Sequence, residues 1–413
     1  MLVNFSLQRS SRSVALGALV VAATSAHAQA ISPPGCERMI RADVVALEQA
    51  IVVNRFGAFI PAGTLYALKG DIVRRDGRAI DWDRPFESAG QVKLRSDKRP
   101  RPMTLRVNEG DCLEVRLTNL LAPVAPEERS GGPEQYNGRV PAHSQDPDGT
   151  PYSDTNTGRA LQRPAKISAD WPRTRAVSFN VTGLEYAPIA ESDCPRSTDA
   201  HAWLCGSNGG NIGLNKSVMH PSTPSAVRER LAQQGSLVTP GQSSLVRFKA
   251  LREGGYFVFS GGAVAGGEGN GGATGYGLFG SVNVQPRGSV WYRSQVTHSD
   301  LRAATRRGSG AHAYEVIDYD GARYTSGPKK GRPILKMLDG NQIVHSDLNA
   351  IVALRRDKAP DHDDTTGPER NCKGYTQGTL CGQSYREFTV ILHDEVETVQ
   401  AFPELENEDH PLS

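Results

Sequence analysis

GGYFVFSGGAVAGGEGNGGATGYGLFGSVNVQP, residues 254–286, has apolar ends and a middle that is mostly glycine. Inside it, Gly267, Gly269 and Gly272 satisfy the spacing G-x-G-x-x-G. A phosphate-cradling loop of that spacing needs a helix directly after the glycines, because the helix N-terminus carries the pyrophosphate. The chain continues instead as YGLFGSVNVQP (276–286), a strand pattern that ends in proline. The stretch therefore reads as a β-hairpin with a long glycine-rich connection, and the rest of the chain is to be read for strands.

Strands appear on both sides of it. In DCLEVRLTN, Leu113, Val115 and Leu117 fall on one face and Glu114, Arg116 and Thr118 on the other, the period-two mark of a strand with one buried side. In VSFNVTGL, Val177, Phe179 and Val181 oppose Ser178, Asn180 and Thr182; in LVRFKA, Val246 and Phe248 oppose Arg247 and Lys249; SVNVQP adds Val282 and Val284. Gly110-Asp111 and the PGQSS beginning at Pro240 supply turns before two of these strands. The best helix candidate is TPSAVRERLAQQG, with Thr223 as cap, Pro224 at the first position and Gly235 as stop. One short helix among many strands predicts a mainly β protein of the β-sandwich class. The 43 glycines and 26 prolines, about a sixth of the 413 residues, fit many turns and short strands.

The sandwich is interrupted by polar stretches. Residues 123–172 are rich in Pro, Gly, Ser, Asp and Asn and read as a surface insertion. Between 287 and 386 the chain is an irregular linker in which VWYRSQV and SDLNAIVAL look ordered and RRDKAPDHDDTTGPERN looks solvated. A further strand, EFTVILHDEVETVQAF, begins at Glu387 and runs into an acidic tail. One strand cannot bury a core alone, so it either completes an earlier sheet or opens another domain.

The first 30 residues stand apart. Arg9 and Arg12 precede the apolar run VALGALVVAATSA, followed by the overlapping A-x-A sites Ala26–Ala28 and Ala28–Ala30. This is the pattern of a secretory signal peptide, and the apolar run is short for a membrane anchor. No later segment is apolar enough to span a bilayer, so the mature chain is expected in the periplasm or outside the cell. A net charge of +2 gives no electrostatic reason to expect nucleic acid as a partner. In an oxidising compartment six cysteines suggest disulfides. Cys194 with Cys205, and Cys372 with Cys381, each bracket a short loop that a bridge would staple. Cys36 and Cys112 remain, either as a third bridge or with Cys112 as a buried free thiol.

Motifs for chemistry are sparse. His143, His201, His220, His298, His312, His345, His362 and His393 are isolated, without the H-x-H, H-E-x-x-H or H-x-x-x-H spacing that sets two ligands on one face. The run Asp361–Asp364 lacks the spaced oxygens and glycine of a calcium loop. Neither a G-x-S-x-G elbow nor a phosphate-loop lysine motif occurs. Asn180 and Asn215 begin glycosylation sequons, NVT and NKS.

Taken in order, MTLRVNEGDCLEVRLTNLL, VSFNVTGLE, LVTPGQSSLVRFKA and GGYFVFSGG…GYGLFGSVNVQP resemble the first cupredoxin domain of a multicopper oxidase. Within that family the long chain with large insertions most resembles the big bacterial enzymes of the manganese-oxidising type. The likeness runs from Val44 to Phe402. It implies a cupredoxin-like Greek-key sandwich over 31–286, and a second, truncated cupredoxin-like domain starting at 387–413. The family's copper-ligating histidines would fall on Asn180 and Thr182 in the first motif and on Phe259 and Gly261 in the second. None of the four side chains is a copper ligand, and the family's His-Cys-His segment is absent from the sequence. The resemblance thus implies the N-terminal scaffold of an exported copper oxidase acting on a metal ion or phenol, with copper bound by further cupredoxin domains and not by these residues. The rival reading is a non-catalytic exported β-sandwich that binds a partner or carbohydrate.

Overall fold

The alternation in Cys112–Asn119 sends Leu113, Val115 and Leu117 into a fully buried core and leaves Glu114, Arg116 and Thr118 on the opposite face. The computed structural model describes residues 35–54, 57–60, 63–123, 153–154, 159–160, 175–206, 217–234, 237–262, 272–307, 315–354, 384–392 and 399–400. Numbered along the chain, the strands that build the body are β1 (Met39–Glu48), β2 (Thr64–Leu68), β3 (Met103–Asn108), β4 (Cys112–Asn119), β5 (Asn180–Val181), β6 (Trp203–Cys205), β7 (Ser243–Lys249), β8 (Gly254–Phe259), β9 (Phe279–Gln285), β10 (Ser289–Arg293), β11 (Ala350–Leu354) and β12 (Tyr385–Glu387).

Two sheets face one another across this core. In the larger, β4 lies between β1, its parallel neighbour, and β7, its antiparallel one. Strand β6 extends the sheet beyond β7, and β2 pairs with β1. In the smaller, the order is β5, β8, β9, β3, with β9 and β3 parallel. Val44, Leu117, Val246 and Phe248 from the first sheet meet Leu105, Val107, Val258, Val282 and Val284 from the second. Each such side chain contributes about 1.5–3 kcal/mol on full burial, and this shared layer is what makes the mainly β sandwich expected from the sequence.

The corner between the sheets is the NEGD turn. Strands β3 and β4 are consecutive yet belong to different sheets, so the chain must reverse sharply at Asn108–Asp111. Gly110 has φ +88°, and a Cβ there would strike the Glu37 carboxylate. Asp111 holds the turn by accepting from the Asn108 backbone N–H at 2.9 Å, while Arg38 donates to both of its carboxylate oxygens at 2.8 and 2.6 Å. Cys36 is bonded to Cys112 beside this corner. Of the alternatives open for that pair, the bridge is the one formed.

The helix forms over Ser225–Gln234 and buries Val227 and Leu231, one turn apart, against Ala202 and Leu204. Between the glycine stretch and β9 there is one helical turn, Gly272–Gly275, where a strand alone was expected. Ala273 within it and Leu278 just after it drop into the core, so burial rather than pattern decides this turn.

Residues 287–386 contain more order than a linker. Strands β10 and β11 pair antiparallel and β12 joins them, with Trp291 and Val352 reaching the main core. This third sheet covers the outer face of the second. There Arg106 of β3, only 2% exposed, donates to the Glu387 carboxylate at 2.8 Å and to the backbone carbonyls of Asp347 and Leu348 at 2.6 and 2.8 Å. Asn283 of β9 donates to the same carboxylate at 2.9 Å, and Gln285 also binds it. The strand expected to run on from Glu387 instead stops at that residue. Its partner β11 begins at Ala350, which lies opposite Glu387, so the pairing ends there. Phe388, Val390 and Leu392 are exposed, and Val399–Gln400 pairs with Ala58–Phe59.

Candidate functional site

Of the four positions that the resemblance marks as copper ligands, two meet directly, and Thr182 and Gly261 lie to either side of that pair along the strands. Asn180 on β5 lies directly opposite Phe259 on β8, and Thr182 donates its backbone N–H to the Phe257 carbonyl at 2.9 Å. The Gly261 N–H donates to Ser178 Oγ at 2.8 Å, and the Asn180 amide donates to the same oxygen at 2.9 Å. The Tyr186 hydroxyl donates to Asn180 Oδ1 at 3.4 Å. Tyr66 donates to the Ser178 carbonyl, and burial pushes its phenol far above the ordinary range. The place is a neutral hydrogen-bonded clasp between two strands.

Copper needs imidazole, thiolate or another strong donor. An amide engaged by two neighbours, a threonine, a phenylalanine ring and a glycine do not fit it. Among the described residues, no group of three or more His, Cys, Asp and Glu is close enough to hold a metal ion. His143, His312, His362, His393, Asn215, Asp361–Asp364 and most of residues 123–172 lie outside the described residues, as do Cys372 and Cys381. Cys194 is bonded to Cys205, and their sulfurs pack with Ile189 and Leu245.

A second concave place lies on the outer face of the large sheet. A cavity of about 350 Å³ is lined there by Asp43 of β1, Arg116 and Thr118 of β4 and Trp203 of β6, with Lys69, Trp82, Asp83, Arg196 and His201 from flanking segments. The floor follows from register: Asp43 is paired with Arg116, Val45 with Thr118, and Thr118 with Ser243. His201 Nε2 lies 2.7 Å from Ser243 Oγ, which lies 2.8 Å from Thr118 Oγ1. The Lys69 ammonium sits 4.0 Å from the centre of the Trp82 ring, a cation–π contact. Burial pushes both Lys69 and His201 below their ordinary ranges. The side chains of Asp43, Asp83 and Arg196 make no hydrogen bond or ion pair among the described residues. In the sequence His201 stands only as an isolated histidine. The outward-facing Asp43 in the otherwise apolar ADVVAL was the signal available for this face.

The class defined so far is a mainly β sandwich in which Asn180 and Phe259 face one another in a hydrogen-bonded clasp between two strands. No protein-family model and no curated protein matches the chain. Among solved structures it is similar to a multi-copper oxidase from Pseudomonas thermotolerans, at 12% identity and a TM-score of 0.24, over 60% of this chain and 30% of that one. A second multicopper oxidase is similar at 13% identity and a TM-score of 0.22, over 60% of this chain and 43% of that one. The multicopper oxidase mgLAC is similar at 13% identity and a TM-score of 0.24, over 68% of this chain and 52% of that one. The chain thus spans between 30% and 52% of the length of these structures.

Proposed function

We propose that this chain is a copper-free scaffold portion of an exported oxidase of the multicopper type, with the copper chemistry carried by further domains of the same molecule. The observation that supports the reading is the meeting of Asn180 and Phe259 in register on adjacent strands, with Thr182 following on one side of the pair and Gly261 on the other. Under this reading, two strands whose facing residues stand 79 positions apart in the chain are neighbours, as paired imidazoles sharing a metal would need. The groups there are instead an amide, a hydroxyl, a phenyl ring and a bare backbone. Their work is to hold β5 against β8.

Export is part of the proposal. Two disulfides, Cys36–Cys112 and Cys194–Cys205, support it, since such bridges persist in oxidising compartments such as the periplasm or the medium. Among the described residues no helix is long and apolar enough to cross a membrane.

Copper titration of the purified chain is the test, followed by absorbance and by metal analysis after desalting. The wild-type chain should retain no stoichiometric copper and show no blue band. The variant combining Asn180→His, Thr182→His, Phe259→His and Gly261→His should gain copper binding. Stoichiometric copper on the wild-type chain would overturn the copper-free reading. A folded quadruple variant that binds no copper would overturn the correspondence of these positions.

A further inference from the structure

The cavity on the outer face of the large sheet has more polar groups than the fold uses. Asp43 and Asp83 bring two carboxylates, and Lys69 and Arg196 bring two cations; none of the four is ion-paired among the described residues. Lys69 is near enough to both carboxylates for each to favour its charged form, yet it spends its ammonium on the Trp82 ring. The other cation of the lining, Arg116, is engaged by Glu114 at 3.1 Å. Charges of opposite sign therefore face a common space without closing on one another.

Such a balanced lining does not select an ion. A phosphate or carboxylate would meet Asp43 and Asp83, and an ammonium would meet Lys69 and Arg196. A neutral molecule rich in hydroxyls suits it better, since each hydroxyl both donates and accepts and so satisfies a carboxylate or a cation alike. Trp82 and Trp203 add apolar surface, which the C–H faces of a sugar ring need and an inorganic ion does not. His201, held on Ser243, offers a further hydrogen-bonding edge. The volume of about 350 Å³ lies at the small end of ligand pockets, the scale of one or two sugar rings.

Room for more lies next door. A second cavity, of about 450 Å³, is lined by Arg84, Phe86 and Arg230 together with Asp199, Ala200 and Ala202. Thr198 and His201 line the first cavity while Asp199, Ala200 and Ala202 line the second, so one short segment divides the two.

We propose that the outer face of the large sheet carries a carbohydrate-binding site, in which Asp43, Asp83, Arg196 and His201 hold sugar hydroxyls, Trp203 covers the ring and the edge of Trp82 bounds it. A sugar unit occupies the first cavity and a chain of two or more extends over the dividing segment into the second. The site lies on a different sheet from the Asn180–Phe259 clasp and is independent of the copper-free reading: copper titration decides one and sugar titration the other.

The experiment is titration of the full chain with glucose, galactose, mannose, N-acetylglucosamine and their β-linked disaccharides, read by tryptophan fluorescence and by saturation-transfer NMR. At least one sugar should bind saturably with a dissociation constant of about 1 mM or tighter. The disaccharide of that sugar should bind more tightly than the monosaccharide. Asp43→Asn keeps the shape of the side chain, and Arg196→Ala removes a side chain with no partner among the described residues. Each should weaken binding about tenfold, while Arg302→Ala, exposed on the short helix His298–Ala303, should leave it unchanged. Absence of saturable binding across the panel would overturn the proposal. Equal affinity in wild type and Asp43→Asn would do so too, as would saturable binding of inorganic phosphate or choline in place of every sugar.

Discussion

Mild acid should weaken this fold above all through His345. It is 3% exposed; its Nε2 lies 2.8 Å from the Pro333 carbonyl, and its Nδ1 is buried with no hydrogen-bond partner. The Nε2 must carry the proton that the carbonyl accepts, so the bare Nδ1 is the atom that acid protonates. Burial is the main cause holding the imidazole neutral, with Arg293 and Lys98 acting in the same direction and Asp347 and the Pro333 carbonyl against it. The result is a pKa pushed down to about 3 from an ordinary 6.5. Unfolding releases the imidazole to titrate normally, so the unfolded chain binds more protons at every pH between those two values. Stability is therefore fully present above pH 6.5 and falls as pH drops toward 3, by about 1.4 kcal/mol per unit. At pH 5 the loss is about 2 kcal/mol, a large part of an ordinary stability.

Urea unfolding at pH 7.5, 6, 5.5 and 5, followed by tryptophan fluorescence, measures this for wild type and for His345→Gln, whose amide keeps an N–H for Pro333. His201 is also held neutral by burial and gives both proteins a shared slope, so the difference between them isolates His345. The variant should lie below wild type at pH 7.5 and converge on it by about 2 kcal/mol at pH 5. Parallel pH profiles for the two proteins would refute the reasoning, because they would mean His345 titrates alike in folded and unfolded chains.

Other expected outcomes are simpler to state. Arg106→Met strands the Glu387 carboxylate among Asn283, Gln285 and β12 and should cost about 3–5 kcal/mol, while Arg106→Met with Glu387→Gln should recover part of the loss; a single variant as stable as wild type would show that the pair holds nothing. The Cys36–Cys112 bridge spans 76 residues and the Cys194–Cys205 bridge 11, so removing the first should cost about 4–5 kcal/mol and the second about 3. Thermal unfolding of the two double Cys→Ala variants would contradict this if the short-loop variant melted lower. Gly280→Ala drives a Cβ into the Met103 carbonyl, across the parallel β9–β3 pair, so it should loosen that pair by about 1–3 kcal/mol; faster amide exchange at Val282 and Val284 is the readout.

The core was legible because it is written locally. Leu113, Val115, Leu117, Val177, Phe179, Val181, Val246 and Phe248, picked out by alternation, are all buried together. The helix was legible from its flanking Thr223, Pro224 and Gly235, whereas the pair it buries, Val227 and Leu231, is a finding of the structure. Alternation cannot encode which strand lies beside which. Nothing in MIRADVVALE indicates that it runs parallel to β4, and nothing in MTLRVN indicates a parallel partner at 279–285. Arg106 reads as a solvent-facing residue until Glu387, 281 positions later, is folded over it. The outer-face cavity escaped for the same reason: Asp43, Lys69, Trp82, Arg196 and His201 come from separate segments and share no spacing that a motif would capture.

The parallel pairs also set a timetable for making the molecule. A ribosome delivers β3 long before β9, and at ordinary elongation rates the wait is on the order of ten seconds. Throughout it Leu105 and Val107 have no second-sheet neighbour to cover them. Contacts so distant along the chain close slowly even once both strands exist. Biogenesis should accordingly lean on holdase chaperones, and nascent chains stopped before residue 279 should be degraded where those stopped after residue 387 survive.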